Sequence, residues 1–305
     1  MKSVYKLTPS LHECIWGGKR LSVYGKGKTE GPLGESWELS FVPGSEALAD
    51  GKKVTDLFEK STWGRACERF EAFPVLTKFI DAADKLSVQV HPSDAYALEN
   101  EGQYGKTEMW YVIDAEEGAG IYMGLREEST PERFAEAVGD GSVEDLLNFK
   151  QVKAGEVYFI PSGTIHAIGK GVLIFEIQQN STLTYRLYDY MRRDAKGNLR
   201  ELHVEKAMKV SKLEKYLPSV PDPADPEVIG KCEYFTSRLL KLRSEGRELV
   251  ADESFISLTC TAGEGVIDGE KFSAGDSFFM PAGGGRVEIF GNCDVIAVAV
   301  EESNA

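Results

Sequence analysis

A chain of 305 residues, 42% hydrophobic and 28% charged, can bury a large core and exceeds the length at which a single core usually stops growing, so two modules are expected. Its formal net charge of −14 excludes bulk affinity for nucleic acid or anionic membrane surfaces, and no apolar run approaches the roughly 18 residues of a membrane span. The start, Met1 to Lys6, lacks the apolar stretch of a secretory signal, and the five scattered cysteines (Cys14, Cys67, Cys232, Cys260, Cys293) form no Cys-x-x-Cys pair, so a cytoplasmic protein with free thiols is expected.

The first fifty residues carry Trp16-Gly17-Gly18-Lys19 and then Gly31-Pro32-Leu33-Gly34-Glu35-Ser36-Trp37-Glu38-Leu39-Ser40. No helix start follows Gly34 as a phosphate-binding loop requires, so the region reads as a meander covering a sheet. Helical spacing follows over 53–72 (Val54, Leu57, Phe58, Cys67, Phe70), with breaks at Gly64 and before Pro74. Phe73 to Ala82 is an apolar strand interrupted by Lys78; a lysine there belongs by default at an edge or surface, and facing a ligand is the alternative.

Leu86-Ser87-Val88-Gln89-Val90-His91-Pro92 alternates as a strand, which sets Gln89 beside His91 on the face opposite Val88 and Val90. A short helical segment from Pro92 to Asn100 and a glycine-containing loop lead to a second strand, Glu108-Met109-Trp110-Tyr111-Val112-Ile113. Pairing of the two strands would let Gln89, His91 and Glu108 converge. Thr130 or Ser129 caps a helix that has Pro131 in its first turn, and a second helix start stands at Ser142. These form a small helical insertion, about 129–149. Strand signal returns from Val152 to Ile160 and leads to His166, followed by alternating strands over Val172–Gln178 and Thr182–Asp189. In them Glu176 lies opposite Leu173, Phe175 and Ile177, and Arg186 is separated from Leu183, Tyr185 and Leu187.

A proline-rich connector over 213–226 (Pro218, Pro221, Pro223, Pro226) divides the chain into modules at 1–212 and 227–305. The second module contains a repeat of the first: Ala154-Gly155-Glu156-Val157-Tyr158-Phe159-Ile160-Pro161-Ser162-Gly163 aligns without gaps on Ala274-Gly275-Asp276-Ser277-Phe278-Phe279-Met280-Pro281-Ala282-Gly283. Three residues further on, Arg286 stands where the first copy has His166.

The pattern Gly155-x5-Pro161-x-Gly163-x2-His166 resembles the second motif of the cupin β-barrels, and its recurrence implies an all-β chain in the main: two cupin-type β-barrels or jelly rolls with a small helical insertion. Trp16-Gly17-Gly18, Glu35-Ser36-Trp37-Glu38, Leu86 to Pro92, Lys106-Thr107-Glu108-Met109-Trp110-Tyr111 and Tyr185-Arg186-Leu187-Tyr188-Asp189 narrow the resemblance to the type I, zinc-dependent mannose-6-phosphate isomerases in their short bacterial form. The resemblance spans roughly residues 1–205. It implies one Zn2+ per chain held by Gln89, His91, Glu108 and His166, with Fe2+ or Mn2+ as possible substitutes for a donor set of this kind. It further implies substrate contacts from Lys78, Lys106 and Arg186. Where this family often has a histidine just before the lysine of the Glu108 block, this chain has Gly105, which removes one candidate acid–base group.

The implied reaction interconverts D-mannose 6-phosphate and D-fructose 6-phosphate through a cis-enediol, which needs a proton carrier and stabilisation of charge on the adjoining oxygens. Glu176 is the candidate carrier, with Lys106 and Arg186 as further catalytic candidates; a strand glutamate in a plain salt bridge is the bland alternative. A sugar phosphate is the expected small-molecule partner, with no nucleic acid and no membrane, and the oligomeric state is left open. Two rival functions stand beside this one. A non-catalytic, metal-binding, sugar-sensing bicupin would keep the ligands and lack the cations, and an isomerase of another sugar phosphate such as glucose 6-phosphate would share both. His12 and His203 have no partner pattern and read as surface or capping residues.

Overall fold

The computed structural model describes residues 2–27, 29–193, 197–218 and 225–301. Antiparallel strands dominate it and form three sheets. One sheet of six strands runs in the order Val157–Ile160, Glu108–Ala115, Val172–Gln179, Val75–Ala82, Ser10–Gly18 and Leu33–Leu39. The glycine-rich start is therefore part of a sheet, not a cover over one. A second sheet of five strands runs Leu147–Gln151, Gly120–Leu125, His166–Ile168, Val88–Val90 and Tyr185–Tyr188. Ile80, Trp110, Val112 and Ile174 of the first sheet pack against Ile121, Met123 and Ile168 of the second, so the two sheets face each other as a sandwich.

The strand Val172–Gln179 is buried along its whole length because both its faces are covered. Leu173, Phe175 and Ile177 enter an aromatic core shared with the C-terminal strands, while Val172 and Ile174 look toward the five-stranded sheet. Alternation then assigns Glu176 to the inner face. Lys78 and Ile80 occupy the inner face of the neighbouring strand in the same way, so this lysine is buried and not at an edge.

The third sheet has ten strands and joins the two ends of the chain. The C-terminal strands Val228–Lys231, Thr236–Arg243, Arg247–Val250, Ile256–Ile267, Glu270–Ser273, Ser277–Met280 and Arg286–Ala299 are extended by Tyr5–Thr8, with Tyr5 opposite Phe279. These strands own a core built on Leu240, Leu258, Val287, Ile289 and Val295. Where the C-terminal strands meet the rest of the chain, Phe41 stacks on Phe73 at 3.9 Å, and Phe73 meets Phe255 at 4.7 Å. Each fully buried phenylalanine there contributes about 1.5–3 kcal/mol of burial.

The repeat seen in the sequence is a repeat in hydrogen bonding. Gly155 N donates to Val112 O at 2.8 Å and Gly275 N to Cys260 O at 2.8 Å; Gly163 N donates to His91 O at 2.8 Å and Gly283 N to Ala251 O at 2.7 Å. Strands Val157–Ile160 and Ser277–Met280 follow the two turns at equivalent positions, and the next strands begin at His166 and Arg286.

Two local expectations change. The helical spacing over 53–72 yields only the four-residue helix Val54–Leu57 and two 3-10 turns, Lys60–Thr62 and Arg65–Cys67. Phe58, Trp63, Cys67 and Phe70 fill the shared core as a wrapped loop, so tertiary burial replaces the helix. The insertion contains one α-helix, Pro131–Asp140, whose cap Thr130 accepts from Arg133 N at 3.3 Å; Phe134, Ala137 and Val138 are buried beneath it. The second start is a 3-10 turn, Val143–Leu146, because the chain must enter the strand Leu147–Gln151 at once. Of the connector at 213–226, residues 219–224 lie outside the described residues. None of the helices among the described residues is long and apolar enough to cross a membrane.

Candidate metal centre

Strand register lays out the site as two facing rows. Across the six-stranded sheet Trp37, Lys78, Glu176, Trp110 and Tyr158 stand directly opposite one another on four successive pairings. Across the five-stranded sheet the row is Met123, His166, Gln89 and Arg186. The strand Glu108–Ala115 does not pair with Val88–Val90: it belongs to the opposite sheet. Glu108 therefore meets Gln89 and His91 across the sandwich, a convergence that needs the fold and not one hairpin.

His91, Glu108 and His166 are each no more than 1% exposed and bring their ligand atoms within 4.8 Å of one another. His91 Nδ1 lies 2.8 Å from Leu183 O and His166 Nδ1 lies 2.9 Å from Thr164 O. Each ring thus spends its proton on a backbone carbonyl and turns a lone pair on Nε2 inward. His91 Nε2 stands 3.4 Å from Glu108 Oε2, His166 Nε2 stands 3.4 Å from Glu108 Oε1, and the Gln89 amide nitrogen reaches His166 Nε2 at 3.3 Å. His91 Nε2 and Glu108 Oε1 are buried with no hydrogen-bond partner among the described residues, while Glu108 Oε2 is met by the Lys106 ammonium.

Orphaned polar atoms of this kind are costly unless a cation satisfies them. Nitrogen and oxygen ligands about 2.0–2.1 Å from a shared tetrahedral centre lie about 3.3–3.4 Å apart, which matches the spacings here. The residues fit a metal ion. Their protonation states fit as well. Burial, aided by the Lys106 ammonium, pushes the His91 imidazole down to about 3, and burial lowers His166, so both rings are neutral ligands at pH 7. Against the burial that opposes its charge, Lys106 and the two histidines hold Glu108 well below the usual carboxylate range.

The centre opens on a cavity of about 340 Å³ lined by Gln89, Lys78, Lys106, Glu176, Glu35 and Arg186, among others. Lys106 Nζ lies 2.7 Å from Glu108 Oε2 and 3.6 Å from Glu176 Oε1; Lys78 Nζ lies 3.5 Å from the same Glu176 oxygen and 3.4 Å from Glu35. Trp110 Nε1 donates to Glu176 Oε2 at 3.0 Å, while Oε1 has no hydrogen-bond partner and borders the cavity. Burial, together with the Glu108 charge, raises Glu176 above the usual carboxylate range, and it is the one carboxyl of the cavity moved in that direction. The same carboxylates overcome burial to raise Lys106, so its ammonium stays charged.

The segment carrying Lys106 and Glu108 is held at three points. Lys106 N donates to Pro92 O at 3.0 Å, Gly105 N donates to Asp94 Oδ1 at 2.7 Å, and Thr107 N donates to Gln179 Oε1 at 2.6 Å. Gln179 donates in turn to Asp94, whose other oxygen accepts from Tyr234 of the C-terminal module. Gly105 has a steric reason: a Cβ there would stand 2.4 Å from Pro92 O and 2.6 Å from Asp94 N. A histidine cannot occupy that place in this backbone.

All the residues singled out from sequence, Lys78, Gln89, His91, Lys106, Glu108, His166, Glu176 and Arg186, meet at this cavity or its metal end. Sequence reasoning missed Glu35 and Arg200, which also line it. Glu35 was inside a quoted motif, and its alternation with Ser36 was the available signal; Arg200 sits in a loop that carries none. His12 stacks on Trp37 at 4.2 Å, and His203 occupies the N-cap position of the helix Val204–Val210 while its Nδ1 accepts from Arg186 N at 3.3 Å.

Comparison with known proteins agrees over the whole chain. Residues 4–118 match the family described as phosphomannose isomerase type I, catalytic domain, and residues 227–300 match mannose-6-phosphate isomerase, cupin domain. The mannose-6-phosphate isomerase ManA of Bacillus subtilis is 35% identical over 94% of this chain and 96% of its own length. A mannose-6-phosphate isomerase of Streptococcus mutans is 41% identical over 70% of each chain. Among solved structures, a mannose 6-phosphate isomerase from Bacillus subtilis superposes with a TM-score of 0.88 at 34% identity, covering 97% of this chain and 99% of the other.

Proposed function

Because the chain belongs to the type I mannose-6-phosphate isomerase family, we propose that it interconverts D-mannose 6-phosphate and D-fructose 6-phosphate through a cis-enediol, with Zn2+ held by Gln89, His91, Glu108 and His166. The observation that carries this reading is the inward set of unpartnered atoms, His91 Nε2 and Glu108 Oε1, beside a cavity lined with cations. When bound, the ion supplies a Lewis acid for charge that develops on the sugar oxygens.

The chain's own residues do the rest. Glu176 takes the proton from C2 of the aldose and returns it to C1, leaving the carboxyl unchanged over a turnover. Its raised pKa, set by burial and the Glu108 charge, suits a group that must be charged in one half of the cycle and protonated in the other. Lys106 gives a proton to O1 as the C2 proton leaves and takes one back from O2 as the ketone forms, so it ends the turnover as an ammonium; Lys78 braces Glu176 from the adjoining strand. Arg186, next to Gln89 across the sheet, binds the phosphoryl group with a guanidinium fork. The cytoplasm is the proposed location.

A coupled assay on mannose 6-phosphate with the metal-loaded protein tests the proposal. Turnover that a chelator abolishes and added Zn2+ restores is the expected result, with mannose 6-phosphate preferred to glucose 6-phosphate side by side. Absence of turnover in the metal-loaded protein overturns it.

A further inference from the structure

The cations that line the cavity differ in how they are paired. Around Glu176 every ammonium has two carboxylates within 4 Å: Lys78 has Glu35 and Glu176, and Lys106 has Glu108 and Glu176. Arg186 and Arg200 also line the cavity. Arg186 Nε is buried without a hydrogen-bond partner. Arg200 is tied to Asp189, donating from Nε to Oδ2 at 2.7 Å and from Nη2 to Oδ1 at 2.5 Å. Asp189 also receives Arg192 on the same Oδ1 and is not among the cavity-lining residues, so it holds Arg200 from behind. One carboxylate is thus shared by two arginines, and a third arginine stands beside them. Arg192 has a second carboxylate, Asp84 at 3.7 Å, so the unsatisfied cation here is Arg186.

We infer that Arg200 is the second cation of a phosphoryl-binding pair: with Arg186 it meets the substrate's phosphate monoester, and Asp189 is the residue that positions it. The inference rests on the sugar-phosphate reading above and adds a specificity-determining residue to it. Two guanidiniums suit a tetrahedral dianion better than one, because each can offer a pair of N–H groups to a different edge of the phosphoryl group. Fixing Arg200 on Asp189 beforehand also removes much of the rotamer entropy that a free arginine would lose on binding. The division of the cavity then orients the substrate, with the phosphoryl group at the arginines and the carbon–oxygen centres beside Glu176 and Lys106.

Steady-state kinetics on mannose 6-phosphate test this with Arg200→Met, Arg200→Lys, Asp189→Asn and Arg193→Met. Arg200→Met should raise KM about 10- to 100-fold while kcat stays within about threefold, the mark of lost uniform binding. Arg200→Lys, which keeps the charge and most of the stem, should raise KM by a smaller factor, and Asp189→Asn should resemble it by freeing the guanidinium. Arg193→Met removes the same charge from an exposed site nearby, where Arg193 bonds Gly197 O, and should leave KM within about twofold. Thermal melting of each metal-loaded variant checks that it is folded; if Arg200→Met is not, Arg200→Lys and Asp189→Asn decide. An unchanged KM in the folded Arg200 variants, a fall in kcat at constant KM, or an equal rise in Arg193→Met overturns the inference. A wild type inactive on mannose 6-phosphate would instead overturn the functional reading beneath it.

Discussion

In the N-terminal module the strand after the Pro-x-Gly turn opens on His166, which pairs with Gln89; in the C-terminal module the matching strand opens on Arg286, which pairs with Val250. Gly163 bonds the carbonyl of His91, and its counterpart Gly283 bonds that of Ala251. Ile160 lies opposite Glu108, and Met280 lies opposite Ile256. Every proposed ligand position thus has a structural equivalent without a donor of that kind, although the turns, their positive-φ glycines and their hydrogen bonds are kept. Arg286 points out to solvent, with its side chain 71% exposed and paired to Glu248. The glycine motif builds a scaffold; donors placed on it by separate segments build a site.

The sharpest way to break this comparison is to exchange the residues that distinguish the copies. His166→Ala should lose bound metal, read by elemental analysis, and at least about 1,000-fold in turnover, because it removes a ligand that no neighbour can replace. Arg286→His should acquire no metal, since the positions equivalent to the other three donors hold Val250, Ala251 and Ile256. A second equivalent of zinc in that variant, or zinc-dependent activity retained in His166→Ala, would show that the scaffold itself selects the ion.

Within the first copy, ligand and proton carrier should separate. Glu176→Gln keeps the shape of the side chain and the Trp110 contact and should lose about 100- to 10,000-fold in kcat while metal content stays near one per chain. A kcat within threefold of wild type would assign Glu176 to the salt bridges with Lys78 and Lys106 alone.

The modules also meet through buried charge. Lys26 Nζ donates to Glu38 at 2.7 Å and to the carbonyl of Gly275; Glu38 further accepts from Ser36 at 2.6 Å and Ser277 at 2.8 Å. Ser36 and Glu38 occupy one face of the strand whose other face carries Glu35 and Trp37, so one short motif serves both the seam and the cavity. Lys26→Met leaves Glu38 buried with two hydroxyl donors and no cation, and should cost about 3–5 kcal/mol in denaturant unfolding. A loss below about 1 kcal/mol would mean that the aromatic contacts alone hold the modules together.

Much of this was legible before the fold was known. The ligands lie in short motifs whose spacing reflects strand alternation, and Glu176 declares its face by standing opposite Leu173, Phe175 and Ile177. The route of convergence was not legible, because local pattern does not tell which strand pairs with which, and Glu108 proved to lie on the opposite sheet. Nor was the junction of the chain ends: the pairing of Tyr5 with Phe279 joins segments more than 270 residues apart with no local trace. Lys78 looked like an edge residue because the two glutamates that make its burial tolerable, Glu35 and Glu176, come from strands distant in sequence. Arg200 was invisible for the related reason that a loop arginine acquires meaning only from the cavity it reaches.

The smallest effect separates the two copies of the motif by their surroundings. Gly155 and Gly275 both have positive φ, at 87° and 98°, so alanine at either costs about 1–2 kcal/mol for the backbone alone. A Cβ on Gly155 meets nothing within 4 Å, whereas on Gly275 it would stand 2.2 Å from the carbonyl oxygen of Tyr24. Gly275→Ala must therefore displace the 3-10 turn Arg20–Tyr24 and the Lys26 contact that follows it, adding roughly 1–3 kcal/mol of overpacking. Thermal melting of the two variants should rank Gly275→Ala as the less stable, with Gly155→Ala keeping its metal. Equal losses would mean that the seam yields at Tyr24 without strain, and that the second copy is joined to the first less firmly than its hydrogen bonds imply.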